Sequence, residues 1–405
     1  MMFPQPKLTI CVPSRNRQLY FQETIRSLLI NMRTDVEFVF ADNSDDPSIM
    51  NTFMAEISGD PRVKFIPSDD HIFSMVDNWE RCLDTSTGEF ICVIGDDDYV
   101  DVDVVDLIKD VQRNDPRADV IAWTRLTYNW PSHRPRKCVV AVPMGTSYFR
   151  LDKSVLLRDF FHWSHDAATP NNLFAIYHGA VSRRTMEKIR ARFNGRYFEH
   201  PVVDFENSCK LLVTADNFIH VERPFSVLGA CAESNSGRVA TAADLKAMYS
   251  QFMSDIGRTI DDDAYMKDFP FPFFLGNTAA IGLCQQWFKY TYGHKAPAGW
   301  EKNFARACAK NCGMALDREN FELIAQGYRT AFENWQGGKF LQHFNPTFRE
   351  SGSGKPYYGL LKNMLYIDED IAGVQTPAEL FHLVKQFISP QESMEFRTVP
   401  QFAVG

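Results

Sequence analysis

Short apolar runs alternate with segments of helical period through the first third of the chain. Leu8 to Val12 is a β-rich run closed by Pro13, and apolar groups then recur at Phe21, Ile25 and Leu28/Leu29, one face of a helix. Val36 to Ala41 is a second strand; Pro47 suits the first turn of a helix reaching Ile57. Arg62 to Ile66 is a third strand, followed by a helix with Ile72, Met75/Val76, Trp79 and Leu83 on one face. Phe90 to Ile94 is apolar at every position, as in a strand buried on both faces of a parallel sheet. A helix from about Val104 to Val111 and a strand from Asp119 to Trp123 complete the alternation. This rhythm predicts an α/β fold with a doubly wound, mostly parallel sheet.

After Trp130 the rhythm loosens. Leu173 to Tyr177 reads as a strand, Ser182 to Phe193 as a basic helix, and Phe218 to Val221 as an extended segment leading into Pro224 to Leu228. The small polar run Glu233 to Gly237 reads as a boundary or a loop closing over a ligand. Beyond Ala240 the chain is helix-like and rich in aromatics, with Phe269, Phe271, Phe273, Phe274, Trp287, Phe288, Tyr290 and Tyr292 as expected core. The predicted organisation is an α/β domain over residues 1–238 and a mainly helical domain over 239–405.

In open α/β sheets ligands bind beyond the carboxyl ends of the strands. There the chain places Pro13, Ser14, Arg15, Asn16 and Arg17 after the first strand, with no glycine, which argues against a dinucleotide turn or a phosphate-cradling loop. Asp42 and Asn43 follow the second strand, and Gly95-Asp96-Asp97-Asp98 follows the buried fourth. Three adjacent carboxylates repel and raise one another's pKa unless a positive charge stands among them. Mn²⁺ or Mg²⁺ meets that need, taking oxygen ligands from one or two carboxylates and from substrate phosphate. Asp101, Asp103 and Asp106 read instead as helix-flanking residues, and Asp261-Asp262-Asp263 as a solvated cluster. His162 and His165 are expected to be structural.

Composition narrows the function further. Hydrophobic residues make up 45% and charged residues 23% of the 405, which disfavours disorder. The net charge of -8 argues against a nucleic-acid partner. Nine cysteines without a C-x-x-C pair read as buried free thiols in a reducing compartment. No stretch is long and apolar enough to span a bilayer, and the start does not resemble a signal peptide. A cytoplasmic location is expected, with contact at the inner face of the membrane and homo-oligomerisation left open.

These residues together resemble the family 2 glycosyltransferases, which adopt the GT-A fold. The resemblance is carried by Leu8 to Arg17, Val36 to Asp46, Asn78 to Leu83 and Thr87 to Asp98, and more weakly by His178 to Arg183, Val203-Asp204 and Pro224 to Gly229. It implies a metal-dependent inverting transferase that moves a sugar from a nucleotide-diphosphate donor, a UDP-sugar above others, to a glycan or glycolipid hydroxyl in bacterial surface-polysaccharide synthesis. By resemblance Asp42 meets the nucleobase, Asn78 lies near the donor pocket, Asp96 and Asp97 contact ribose and sugar, and Asp98, framed with Asp96 in a D-x-D, ligates the metal. Arg15 stands where the family often stacks a tyrosine on the base. His178 at a strand end can approach the sugar or the metal as a neutral nitrogen ligand, although bonding to backbone is the commoner case. Asp204 falls where the family carries its general base, with Val203 replacing the expected glutamate, so Glu206 and Glu199 compete for that role. A nucleotidyltransferase acting on a sugar phosphate and a non-catalytic scaffold are the alternatives.

Overall fold

A computed structural model gives the conformation of residues 5–134, 138–165, 167–172, 174–234, 242–255, 257, 264–315, 317–348 and 356–397. The strands are β1 (Leu8–Ser14), β2 (Val36–Asp42), β3 (Val63–Ile66), β4 (Phe90–Val93), β5 (Tyr99–Val100), β6 (Val120–Asn129), β7 (Val139–Pro143), β8 (Ser147–Leu151), β9 (Gly179–Ser182), β10 (Phe218–Ala230), β11 (Gly359–Leu361), β12 (Met364–Asp368) and β13 (Glu395–Arg397). The helices are α1 (Gln18–Leu29), α2 (Ser48–Ile57), α3 (Met75–Thr85), α4 (Val104–Asn114), α5 (Lys153–Phe161), α6 (Arg183–Arg192), α7 (Val203–Thr214), α8 (Ala242–Asp255), α9 (Asn277–Tyr292), α10 (Trp300–Cys312), α11 (Arg318–Asn334) and α12 (Pro377–Val384).

The main sheet runs β13-β8-β10-β6-β9-β4-β1-β2-β3, with β5 paired to β10. β1 lies parallel between β2 and β4, and all three are buried along their length, which is why their sequences are apolar on both faces. β9 is antiparallel to both β4 and β6, so β6 and β10 run in the direction of β4 and end on the same rim. The architecture is the α/β one expected.

Each face of the sheet has its own core. One gathers Phe21, Ile25, Met50, Val105, Ile108 and Leu380 from α1, α2, α4 and α12. The other gathers Val76, Trp79 and Leu83 of α3 with Leu211 of α7 and the aromatics of α9 to α11. α3 shows how sequence dictates placement: Ser74 caps its first turn by accepting from the Asp77 N–H, and the 3.6-residue spacing sends Val76, Trp79 and Leu83 to the sheet. The aromatics expected as core are buried or half-buried except Tyr290, which is 67% exposed.

The segment 239–405 supplies helices α8 to α12 and also strands. β12 pairs antiparallel with β7, and β13 extends the main sheet beside β8. Lys385 just past α12 pairs with Asp101 and Asp103, and Arg33 also pairs with Asp103 and Asp106, so these aspartates serve ion pairs rather than a side-chain cap on α4.

One expected strand is corrected. The stretch from Leu173 (itself outside the described residues) to Tyr177 forms turns and a single bridge from Tyr177 to Val93. The Ala175 N–H turns back to the Asn172 carbonyl, and Asn207 accepts from the Ile176 N–H in place of a strand neighbour. The true strand is β9, entered through His178 at φ 57°. The extended segments 218–221 and 224–228 are instead one strand, β10, irregular opposite Trp123 to Arg125. Asn235, Ser236, Gly237 and the Asp261-Asp262-Asp263 cluster lie outside the described residues.

Candidate active site

The chain leaves β4 at Val93 and turns sharply through Gly95, so that three buried carboxyl groups point in different directions. Asp98 turns back on its own loop: Oδ2 accepts from the Gly95 N–H at 2.6 Å, the Tyr177 hydroxyl at 2.7 Å and His178 Nε2 at 2.9 Å. Its Oδ1 accepts from the Gly229 N–H of β10 at 2.7 Å. Glycine is required at 229, because a Cβ there would lie 1.8 Å from the Asp97 carbonyl oxygen. Burial pushes the Asp98 carboxyl up, but His178, Tyr177 and Gly229 together hold it below the usual carboxylate range. His178 therefore bonds to a carboxylate rather than to backbone.

Asp96 and Asp97 meet a cation of the protein's own. Arg17, at the start of α1, reaches Asp96 at 2.5 Å and Asp97 at 3.3 Å. Ser14 donates to Asp96 Oδ2 at 2.6 Å, and the Cys231 N–H donates to Asp97 Oδ2 at 3.2 Å. Burial raises Asp96 to about 7, with Arg17 opposing and Asp97 adding to the rise. Asp97 is raised as well, again by burial first and against the pull of Arg17. The repulsion expected within the triplet is thus divided between the Arg17 guanidinium and the donors gathered on Asp98. Among the described residues no three His, Cys, Asp or Glu side chains form a ready metal cluster.

The second strand brings Asp42 to the same rim, fully buried. Its Oδ1 accepts from the Ser44 N–H and hydroxyl at 3.1 and 2.6 Å, while Oδ2 is buried without a hydrogen-bond partner among the described residues. Burial raises its pKa and the Ser44 bonds oppose the rise. Asn78 donates weakly to the Ser14 and Ala41 carbonyls and accepts from Arg81, bracing the ends of β1 and β2. Pro13 closes β1 opposite Ala41. Asn16, at φ 56°, ties the first loop to the second through Asp45 and Ser44. Arg15 reaches Asp255 of α8 at 3.1 Å.

The two candidate bases part company on α7. Asp204 is half-buried on the first turn; burial pushes its carboxyl up, while the Phe205 N–H and the charge of Arg125 pull it back. Arg125 acts on Tyr177 as well, so Asp204 shares its surroundings with a direct partner of Asp98. Glu206 faces the opposite way, into the core, 2.6 Å from Lys210, which also holds Glu199 at 2.9 Å. Burial raises Glu206 to about 7 against the pull of Lys210. His162 engages Asn303 and takes no part in the rim.

Cys231, Trp130 and Arg125 join this region without a local signal in the sequence, whereas Tyr177 ends the apolar run before His178 and Gly229 ends the segment from Pro224. Trp130 Nε1 donates to the Asp97 carbonyl at 2.9 Å.

Residues 9–185 match Glycosyl transferase family 2. The matched segment is under half of the 405-residue chain. It contains every rim residue from Pro13 to His178, while Asp204, Gly229 and Cys231 lie beyond it. A glucosyltransferase of Campylobacter jejuni, GalNAc(5)-diNAcBac-PP-undecaprenol beta-1,3-glucosyltransferase, is 27% identical over 93 residues, 23% of this chain and 30% of its own length. The chain therefore matches under a third of that relative. Similar solved structures include residues 1–349 of S. aureus TarS with UDP-GlcNAc, at TM-score 0.45 and 14% identity, covering 87% of this chain and 98% of that one. Another is a mannosyltransferase of Pyrobaculum calidifontis with GDP-Man and Mn²⁺, at TM-score 0.38 and 13% identity, covering 84% and 85%. Among the described residues no helix is long and apolar enough to cross a membrane.

Proposed function

We propose that the chain is a glycosyltransferase that moves a sugar from a nucleotide-diphosphate donor to a hydroxyl acceptor with inversion. The carrying observation is the convergence of Ser14, Arg17, Asp42, Asp96, Asp97, Asp98 and His178 on the carboxyl rim of the segment that matches Glycosyl transferase family 2. The buried Oδ2 of Asp42 has no hydrogen-bond donor among the described residues, and the ring N–H of uracil, thymine or guanine would supply one where cytosine has none, which is compatible with the UDP-sugar that the resemblance implies. Asp96 and Asp97, neutralised by Arg17, would face the ribose and sugar hydroxyls.

Asp98 Oδ2 and His178 Nε2 are hydrogen-bonded to each other at 2.9 Å, and an incoming divalent ion would have to replace that bond. These two would hold Mn²⁺ or Mg²⁺, as few protein ligands as such ions commonly keep beside substrate phosphate. When bound, the ion would neutralise charge growing on the departing diphosphate. Asp204 would take the proton of the acceptor hydroxyl as its oxygen bonds to the anomeric carbon and the bond to the phosphate oxygen breaks. α9 packs on α7, the helix that carries Asp204, so in this proposal residues 1–238 bind the donor and the helical part of 239–405 shapes the acceptor side. A glycan or lipid-linked acceptor of bacterial surface-polysaccharide synthesis fits this reading, in keeping with the name of the Campylobacter relative.

Calorimetric titration with UDP, GDP, dTDP and CMP, with and without Mn²⁺, tests the proposal. UDP is expected to bind, and more tightly with the metal. Binding of no nucleotide in the presence of metal would overturn it.

A further inference from the structure

Arg125 is the unspent cation of the candidate site. The register puts it on the working rim: β9 pairs Gly179 with Ala122 and Val181 with both Val120 and Ile91, so Ala122 is level with Val93 and Arg125 lies three residues beyond, toward the aspartates. The β10 partner strand is irregular at this level, between Val221 and Ser226, a device that re-aims side chains beside functional sites. Trp123, Leu126 and Tyr128 go to the core on one face, while Arg125 belongs to neither core and its charge acts on Tyr177 and on Asp204 of α7.

Its surroundings do not satisfy it. Arg15, Arg17, Arg81 and Arg223 each hold a carboxylate or a backbone carbonyl. Arg125 is half-buried and has no hydrogen bond or ion pair among the described residues. The charge of Asp204 acts on it, yet the two do not close into an ion pair. A guanidinium offers five donors in a planar fork suited to two oxygens of one phosphate.

We propose that Arg125 binds a phosphate group of the substrates, at the junction between the Asp98 cage and Asp204. The inference rests on the proposed function and deepens it. The phosphate comes either from the donor diphosphate, which Arg125 would hold as it departs, or from a phosphate carried by the acceptor.

The test uses the full chain with Arg125→Met and Arg125→Lys, with calorimetric binding of UDP, of uridine, and of inorganic phosphate to UDP-saturated protein, all with Mn²⁺. Loss of one charge-assisted pair predicts a roughly 10- to 100-fold weaker binding of phosphate-bearing ligand, with uridine unchanged and partial retention by the lysine variant. A loss confined to UDP assigns the donor diphosphate. A loss confined to inorganic phosphate on the UDP-saturated protein assigns the acceptor side. If wild type binds both UDP and phosphate and folded Arg125→Met, with an unchanged unfolding temperature, binds them equally well, the assignment of Arg125 is wrong. If wild type itself binds no nucleotide, the proposed function fails instead and takes this inference with it.

Discussion

Asp98→Asn is the most informative single change, because one carboxylate accepts from four donors belonging to three separate parts of the chain. An amide has only one accepting atom. If its oxygen takes the place of Oδ2, its NH₂ is turned onto the Gly229 N–H, and that buried donor loses its acceptor at about 1–3 kcal/mol. The three remaining bonds lose their charge, and neutral bonds are about half as strong as charge-assisted ones. The sum is about 3 kcal/mol of stability, which at about 2.1 cal/mol/K of unfolding entropy per residue over 405 residues lowers the unfolding temperature by roughly 3–4 °C. The measurement is thermal unfolding followed by circular dichroism, with nucleotide-sugar hydrolysis assayed well below the transition. The variant should still fold at low temperature and have lost turnover. An unfolding temperature within about 1 °C of wild type would mean that the four-donor cage does not exist, and retained turnover would remove Asp98 from the chemistry.

Two further outcomes follow from the same geometry. Gly229→Ala should abolish nucleotide binding and lower stability, since its Cβ would meet the Asp97 carbonyl oxygen at 1.8 Å and force β10 away from the aspartates; titration with UDP checks it, and normal affinity would contradict the close approach. Glu206 has a pKa raised by burial from 4.5 to about 7, so the folded state binds its proton more tightly than the unfolded state does. Its contribution to stability is therefore most favourable at low pH and is lost as pH rises from about 4.5 through 7, by up to about 3 kcal/mol. Denaturant unfolding between pH 5 and pH 8 should show this slope together with that of Asp96, also raised to about 7, and Glu206→Gln should remove the Glu206 share; an equal slope in both proteins would place the titration elsewhere.

The two carboxylates of α7 show what a linear reading can and cannot supply. Asp204 and Glu206 are two residues apart, about 200° around a helix, so they cannot share a face. The spacing thus tells that one of them turns away, but not which. Lys210 decides it, four residues on from Glu206 and buried beside it, with Glu199 completing the cluster. Two aspartates of the triplet are similar: their need for positive charge was legible, but the source was not. A divalent ion was expected for the whole group, whereas Arg17 serves Asp96 and Asp97, leaving Asp98 and His178 as the proposed ion ligands.

The linear chain by itself determined the alternation of strands and helices, the burial of β1, β2 and β4, and the placing of acidic residues beyond β4, because periodicity and apolar runs act between near neighbours. Tertiary structure alone decided which partner each acid receives. His178, Gly229 and Cys231 come to the rim from positions 80, 131 and 134 residues away from the acids they bond. Such pairings arise from strand register and from Coulomb attraction across a low-dielectric interior, neither of which leaves a mark in local sequence.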